Sequence, residues 1–155
     1  MQVSKPLDSI DRKLLSFLQK DATLSIANLA EAAGISQTPC WRRVQRLDRD
    51  GFITNRVALL DANRIGLKLT AFVIVRTSQH SAEWLARFSE VTRAIPEIVE
   101  IHRMSGEMDY LLKIITEDID GYDRIYKKLI AKVTLSDVSA AFSMESIKQT
   151  TELPL

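Results

Sequence analysis

The apolar positions change their period near residue 66. Upstream, they recur at helical spacing. In LDSIDRKLLSFLQKD, Ile10, Leu14, Phe17 and Leu18 line one face, and Asp8 is placed to cap the helix with Asp11 in its first turn. SIANLAEAAG predicts a short second helix, with Ser25 as N-cap, Ile26, Leu29 and Ala30 as its apolar face, and Gly34 at the turn. Ser36 caps a third helix with Pro39 in its first turn, where a missing N–H costs nothing, and Gly51 ends it. Two helices joined across a glycine turn, after a longer first one, form a helix-turn-helix. Phe52 to Leu60 reads as a strand, a wing or a link between subunits. DANRIG, Asp61 to Gly66, is the boundary.

Downstream, β-type runs alternate with helical ones. Strands are expected over Leu69–Thr77, Ile98–Met104, Tyr110–Thr116 and Val138–Ile147. Helices are expected from Ser81 to about Ala94, stopped by Pro96, and from Asp118 to Lys132. The order βαββαβ predicts an α+β ferredoxin-like fold: a four-stranded antiparallel sheet with both helices on one face. The other face then needs a cover, which favours a homodimer. The expected division is a helix-turn-helix domain over 1–53, a strand and linker over 54–66, and a second domain over 67–155.

Helical phase sorts the third element. At about 100° per residue, Cys40, Val44 and Leu47 form the core stripe, so the lone thiol points inward. Thr38, Arg42, Gln45, Arg46 and Arg49 lie opposite. They make either a solvated face or a DNA-reading one, and the helix-turn-helix setting favours DNA. Arg and Gln read guanine and adenine edges in the major groove, while arginines further along a helix grip phosphate. Ser36, Gln37 and Thr38 at the helix start suit a phosphate as well.

Charge adds little beyond this. The net charge is +1, with ten Lys and Arg against seven Asp and Glu in residues 1–66, and eleven against thirteen thereafter. Hydrophobic and charged fractions of 46% and 26% suit a globular protein. One cysteine excludes an internal disulfide, and two histidines are too few for a typical zinc site, so neither a metal nor a cofactor is expected. No signal peptide or membrane span is read, which places the protein in the cytoplasm. No Ser/His/Asp order, glycine-rich phosphate loop or HExxH occurs, so no enzyme is expected.

The stretch LDSIDRKLLSFLQKDATLSIANLAEAAGISQTPCWRRVQRLDRDGFI closely resembles the DNA-binding half of the Lrp/AsnC, or feast/famine, regulators. The likeness continues through VALLDANRIGL, the turn MSGEMDYLL and the ending MESIKQTTELPL. The resemblance implies a winged helix-turn-helix joined to a βαββαβ domain called RAM. It also implies dimers that assemble to tetramers or octamers, and an amino-acid effector bound where RAM domains meet. RMSGEMDYLL, read by itself, is a plain hairpin with Gly106 for the backbone and Asp109 for an Asx-type bond. The family likeness makes Ser105, Gly106, Asp109 and Tyr110 candidate effector contacts, with Glu107 and Met108 at variable positions. A glycine admits backbone N–H groups to a carboxylate, and an aspartate accepts from an α-ammonium. Residues alone leave a nucleoid-organising protein without an effector equally open.

Overall fold

A computed structural model describes residues 6–155. It contains two compact units: the described part of Met1–Leu59 together with Lys148–Leu155, and Leu60–Ile147.

The first unit holds α1 (Ser9–Lys20), α2 (Ile26–Ala33) and α3 (Gln37–Arg49). Asp8 and Asp11 form a reciprocal capping box at the start of α1: the Asp8 carboxylate accepts from the Asp11 N–H at 2.8 Å, and Asp11 accepts from the Asp8 N–H at 3.1 Å. Ser25 caps α2 through the Asn28 N–H at 3.1 Å. Gly34 ends α2 at φ +73°, the left-handed conformation that lets the chain reverse into α3 without a Cβ penalty. Leu14, Leu29, Ala30, Ala33, Cys40 and Val44 meet in the core, so the thiol is packed inward as its phase requires.

The last eight residues belong to this unit, whereas the sequence assigns them to the second domain. The Gln19 side chain is the reason. Its amide oxygen accepts from the Leu153 N–H at 2.6 Å and its amide nitrogen donates to the Leu153 carbonyl at 3.1 Å.

The expected strand Phe52–Leu60 is absent. Residues 53–60 carry no ladder among the described residues, and Val57, Leu59 and Leu60 are each at least 70% exposed. A strand exists only by pairing its N–H and C=O groups, and no other described segment of this chain pairs with this one. The wing expected here is therefore not formed as a paired element among the described residues of a single chain.

The second unit is β1 (Leu69–Arg76), α4 (Ala82–Arg93), β2 (Ile98–Arg103), β3 (Tyr110–Thr116), α5 (Ile119–Ile130) and β4 (Asp137–Phe142). The sheet order is β2-β3-β1-β4, every pair antiparallel, as the βαββαβ order demands. Ala71, Val73 and Val75 alternate with Leu112 and Ile114 beneath Phe88, Val91, Ile125 and Leu129 of the two helices. Phe72, Ile74, Leu111 and Ile115 point to the other face, where Phe72 remains 40% exposed. β4 stops five residues before the expected Ile147. Continuing its register, which pairs Ala71 with Phe142, would set Ile147 opposite Gly66, inside a turn that offers no ladder.

Candidate nucleic-acid interface and effector turn

α3 divides its arginines between two tasks. Asp11 is fully buried, and a carboxylate there requires cationic partners. Arg43 supplies one, bridging Asp8 at 2.6 Å and Asp11 at 2.7 Å. Arg46, one turn on, pairs its terminal guanidinium nitrogen with the second Asp11 oxygen, while its Nε is buried without an acceptor. The Arg43 contact holds the Asp8 carboxyl down at about 2, below the ordinary carboxylate value. This cluster ties the capped start of α1 to the middle of α3.

The expectation for Arg46 is thereby corrected. Phase alone sets it about 55° from the centre of the outward face, but its long side chain bends toward α1 to neutralise Asp11. The exposed residues of α3 are Gln37, Thr38, Pro39, Trp41, Arg42, Gln45 and Arg49, preceded by exposed Ser36. Arg49 has a side chain 75% exposed that pairs with its neighbour Asp50 at 3.0 Å. Ser36 makes no side-chain cap bond to α3, which leaves its hydroxyl available.

Cys40 has no exposed surface, and burial pushes its thiol pKa up, which disfavours the thiolate a redox sensor needs. Cys40→Ser is expected to cost about 1–2 kcal/mol through an unpaired hydroxyl, with DNA affinity unchanged. A urea titration beside a DNA-binding titration checks this, and loss of affinity at unchanged stability contradicts it.

The second candidate region is the turn between β2 and β3. Gly106 adopts φ +103°, a conformation that only glycine takes without strain. Ser105 and Gly106 are exposed. Asp109 stands where the turn rejoins the sheet. Its Oδ2 accepts from the Thr77 N–H at 2.8 Å, its N–H donates to the Val75 carbonyl at 3.2 Å, and its carbonyl accepts from Met104 at 2.8 Å. The carboxylate thus locks the turn to the end of β1.

Tyr110 does not join this group. It begins the strand face of Leu112 and Ile114, so its ring enters the helix-side core, with centroids 4.7 Å from Phe88 and 5.7 Å from Trp84. It packs in the core and also lines a cleft of about 460 Å³ between α4 and β2. Trp84 stacks on Phe88 at 5.0 Å and donates its indole N–H to the Thr134 carbonyl at 2.9 Å. Tyr122 stacks on Tyr126 at 6.4 Å and meets Phe142 edge-on at 5.2 Å. His102 lies on the open sheet face beside Glu100, at 3.2 Å.

Two family models match with this arrangement in view. The AsnC-type helix-turn-helix domain covers residues 7–48, and the Lrp/AsnC ligand binding domain covers residues 70–153. The chain belongs to the Lrp/AsnC family of DNA-binding transcriptional regulators, and it is not an enzyme. It is 51% identical over 150 residues to the DNA-binding transcriptional activator DecR of Escherichia coli K12, covering 96% of this chain and 99% of the relative. It is 49% identical over 151 residues to the glutamate uptake regulatory protein of Zymomonas mobilis, covering 97% and 92%. Among solved structures, an AsnC family regulator from Agrobacterium tumefaciens superposes with TM-score 0.92 at 55% identity, covering 96% and 97%. A Neisseria meningitidis regulator crystallised as its L-methionine complex gives TM-score 0.92 at 30% identity, covering 96% and 97%.

Proposed function

We propose that this regulator reads specific operator sequences through the outward face of α3 and controls genes of amino-acid metabolism or transport. The observation that carries the reading is the division of α3. Arg43 and Arg46 are consumed by Asp8 and Asp11, while Ser36, Gln37, Thr38, Arg42, Gln45 and Arg49 stay exposed on the element that a helix-turn-helix lays in the major groove. Arg42 and Gln45 have the donors for base edges, and Arg49 lies further along, where phosphate is gripped.

DNA affinity is set by a small molecule at the Ser105–Asp109 turn, and the ligand is an amino acid. The chemistry suits one: the glycine turn exposes backbone N–H groups to a carboxylate, and Asp109 keeps a second oxygen for an ammonium. An L-methionine-bound relative and a relative named for glutamate uptake support the class. A homodimer covers the open sheet face at Phe72, Ile74, Leu111 and Ile115, and dimers assemble further to tetramers or octamers on the cytoplasmic nucleoid. Two recognition helices then meet successive major grooves about 34 Å apart.

Asp109→Asn tests the effector reading. The amide oxygen still accepts from the Thr77 N–H, so the turn survives while the charge is lost. In a thermal-shift screen of the twenty amino acids, a ligand at 100 times its dissociation constant adds about 2.7 kcal/mol to the wild type. The expected result is one or a few stabilising amino acids that also shift DNA affinity, with both responses lost in the variant. A full response in Asp109→Asn contradicts the assignment. Uniform DNA coating with no ligand effect would favour a chromosome-organising role instead.

A further inference from the structure

Trp41 has no place in the division of α3 drawn so far. The core stripe of α3, Cys40, Val44 and Leu47, is buried, yet this indole is 52% exposed. It stands one turn before Gln45 and beside Arg42, at the margin of the outward face, about 40° around the helix from Gln45 and 60° from Thr38. It forms one wall of a cleft of about 290 Å³ whose other walls include Leu24, Ile26 and Leu29. A flat apolar surface thus stands at the edge of a row of polar readers. The floor of a major groove is polar except for one group, the C5-methyl of thymine.

We infer that Trp41 is a specificity-determining residue that packs against thymine methyl groups in the operator. The inference rests on the proposal that α3 enters the major groove. An indole edge desolvates the methyl, and Gln45 and Arg42 beside it pair with the neighbouring base edges. A thymine is selected this way without any hydrogen bond from Trp41.

The test uses the full chain and the tightest duplex recovered from a random-sequence library by the wild type. Each thymine is replaced singly by deoxyuridine, which deletes the methyl and keeps the pairing edge. Wild-type affinity is expected to fall about fourfold at one or two positions, the value of a single buried methyl-sized group. Trp41→Ala is expected to bind more weakly and to show no discrimination at those same positions. Trp41→Phe keeps an apolar ring and part of the discrimination, and it serves if the alanine variant does not fold. Identical deoxyuridine profiles in wild type and variants, or no sensitive thymine in the wild type, overturn the inference. Arg42→Ala separates the two levels. If it weakens binding while the Trp41 variants keep the wild-type profile, only the role of Trp41 fails. If Arg42→Ala binds as tightly as wild type, the groove reading fails with it.

Discussion

Asp11→Ala is expected to destabilise the DNA-binding unit by about 3 kcal/mol, the usual cost of removing one partner from a buried charge cluster. The carboxylate has no solvent exposure, and it binds Arg43 and Arg46 at once. Its removal leaves the Arg46 guanidinium, whose side chain is only 21% exposed, facing an apolar gap. It also deletes half of the capping box, because the Asp8 N–H loses its acceptor. Arg43 keeps Asp8 and is 31% exposed, so water recovers part of its loss and holds the figure near the lower end for such pairs. Urea denaturation followed by circular dichroism measures the change. A destabilisation below about 1 kcal/mol would mean that water replaces the cluster and that the arginines are free for DNA after all.

Arg42→Ala produces the opposite pattern. Nothing in the fold depends on this side chain, which is exposed and makes no ion pair among the described residues. Stability is expected to stay within about 0.5 kcal/mol, as for ordinary surface changes. DNA binding should weaken by about 1–3 kcal/mol, roughly five- to 150-fold, if the guanidinium pairs with a guanine edge. The loss falls on specific duplexes more than on random ones. A uniform loss on every sequence, with the salt slope reduced by about one, would instead mark Arg42 as a phosphate contact.

Much of this is legible in the sequence. Period changes located every helix, the four sheet strands and the inward turn of Cys40, because burial on one face dictates those spacings. The capping roles of Asp8 and Ser25 follow from side chains that satisfy orphan N–H groups. The task of Arg46 did not follow, since its partner lies 35 residues upstream. A signal was nonetheless present: Asp11 shares a stripe with Leu14, Leu15 and Leu18, and a carboxylate on an apolar stripe requires a cation.

Tyr110 stands apart from the turn for a different reason. Family likeness places it among the effector contacts, while its strand phase with Leu112 and Ile114 sets its ring in the core. The segment over residues 52–60 has strand-like composition, yet β propensity without a partner forms no ladder. Nor does any local pattern announce that Gln19 will hold Leu153, a contact spanning 134 residues.

The central claim is that α3 carries two kinds of arginine, one that builds the domain and one that meets DNA. Measuring both the urea midpoint and the affinity for the selected duplex in Arg42→Ala, Arg43→Ala, Arg46→Ala and Arg49→Ala tests it most directly. The predicted result is a clean partition: lost affinity at an unchanged midpoint for Arg42 and Arg49, and a lowered midpoint for Arg43 and Arg46. An Arg46 variant that loses DNA affinity while keeping the wild-type midpoint would contradict it.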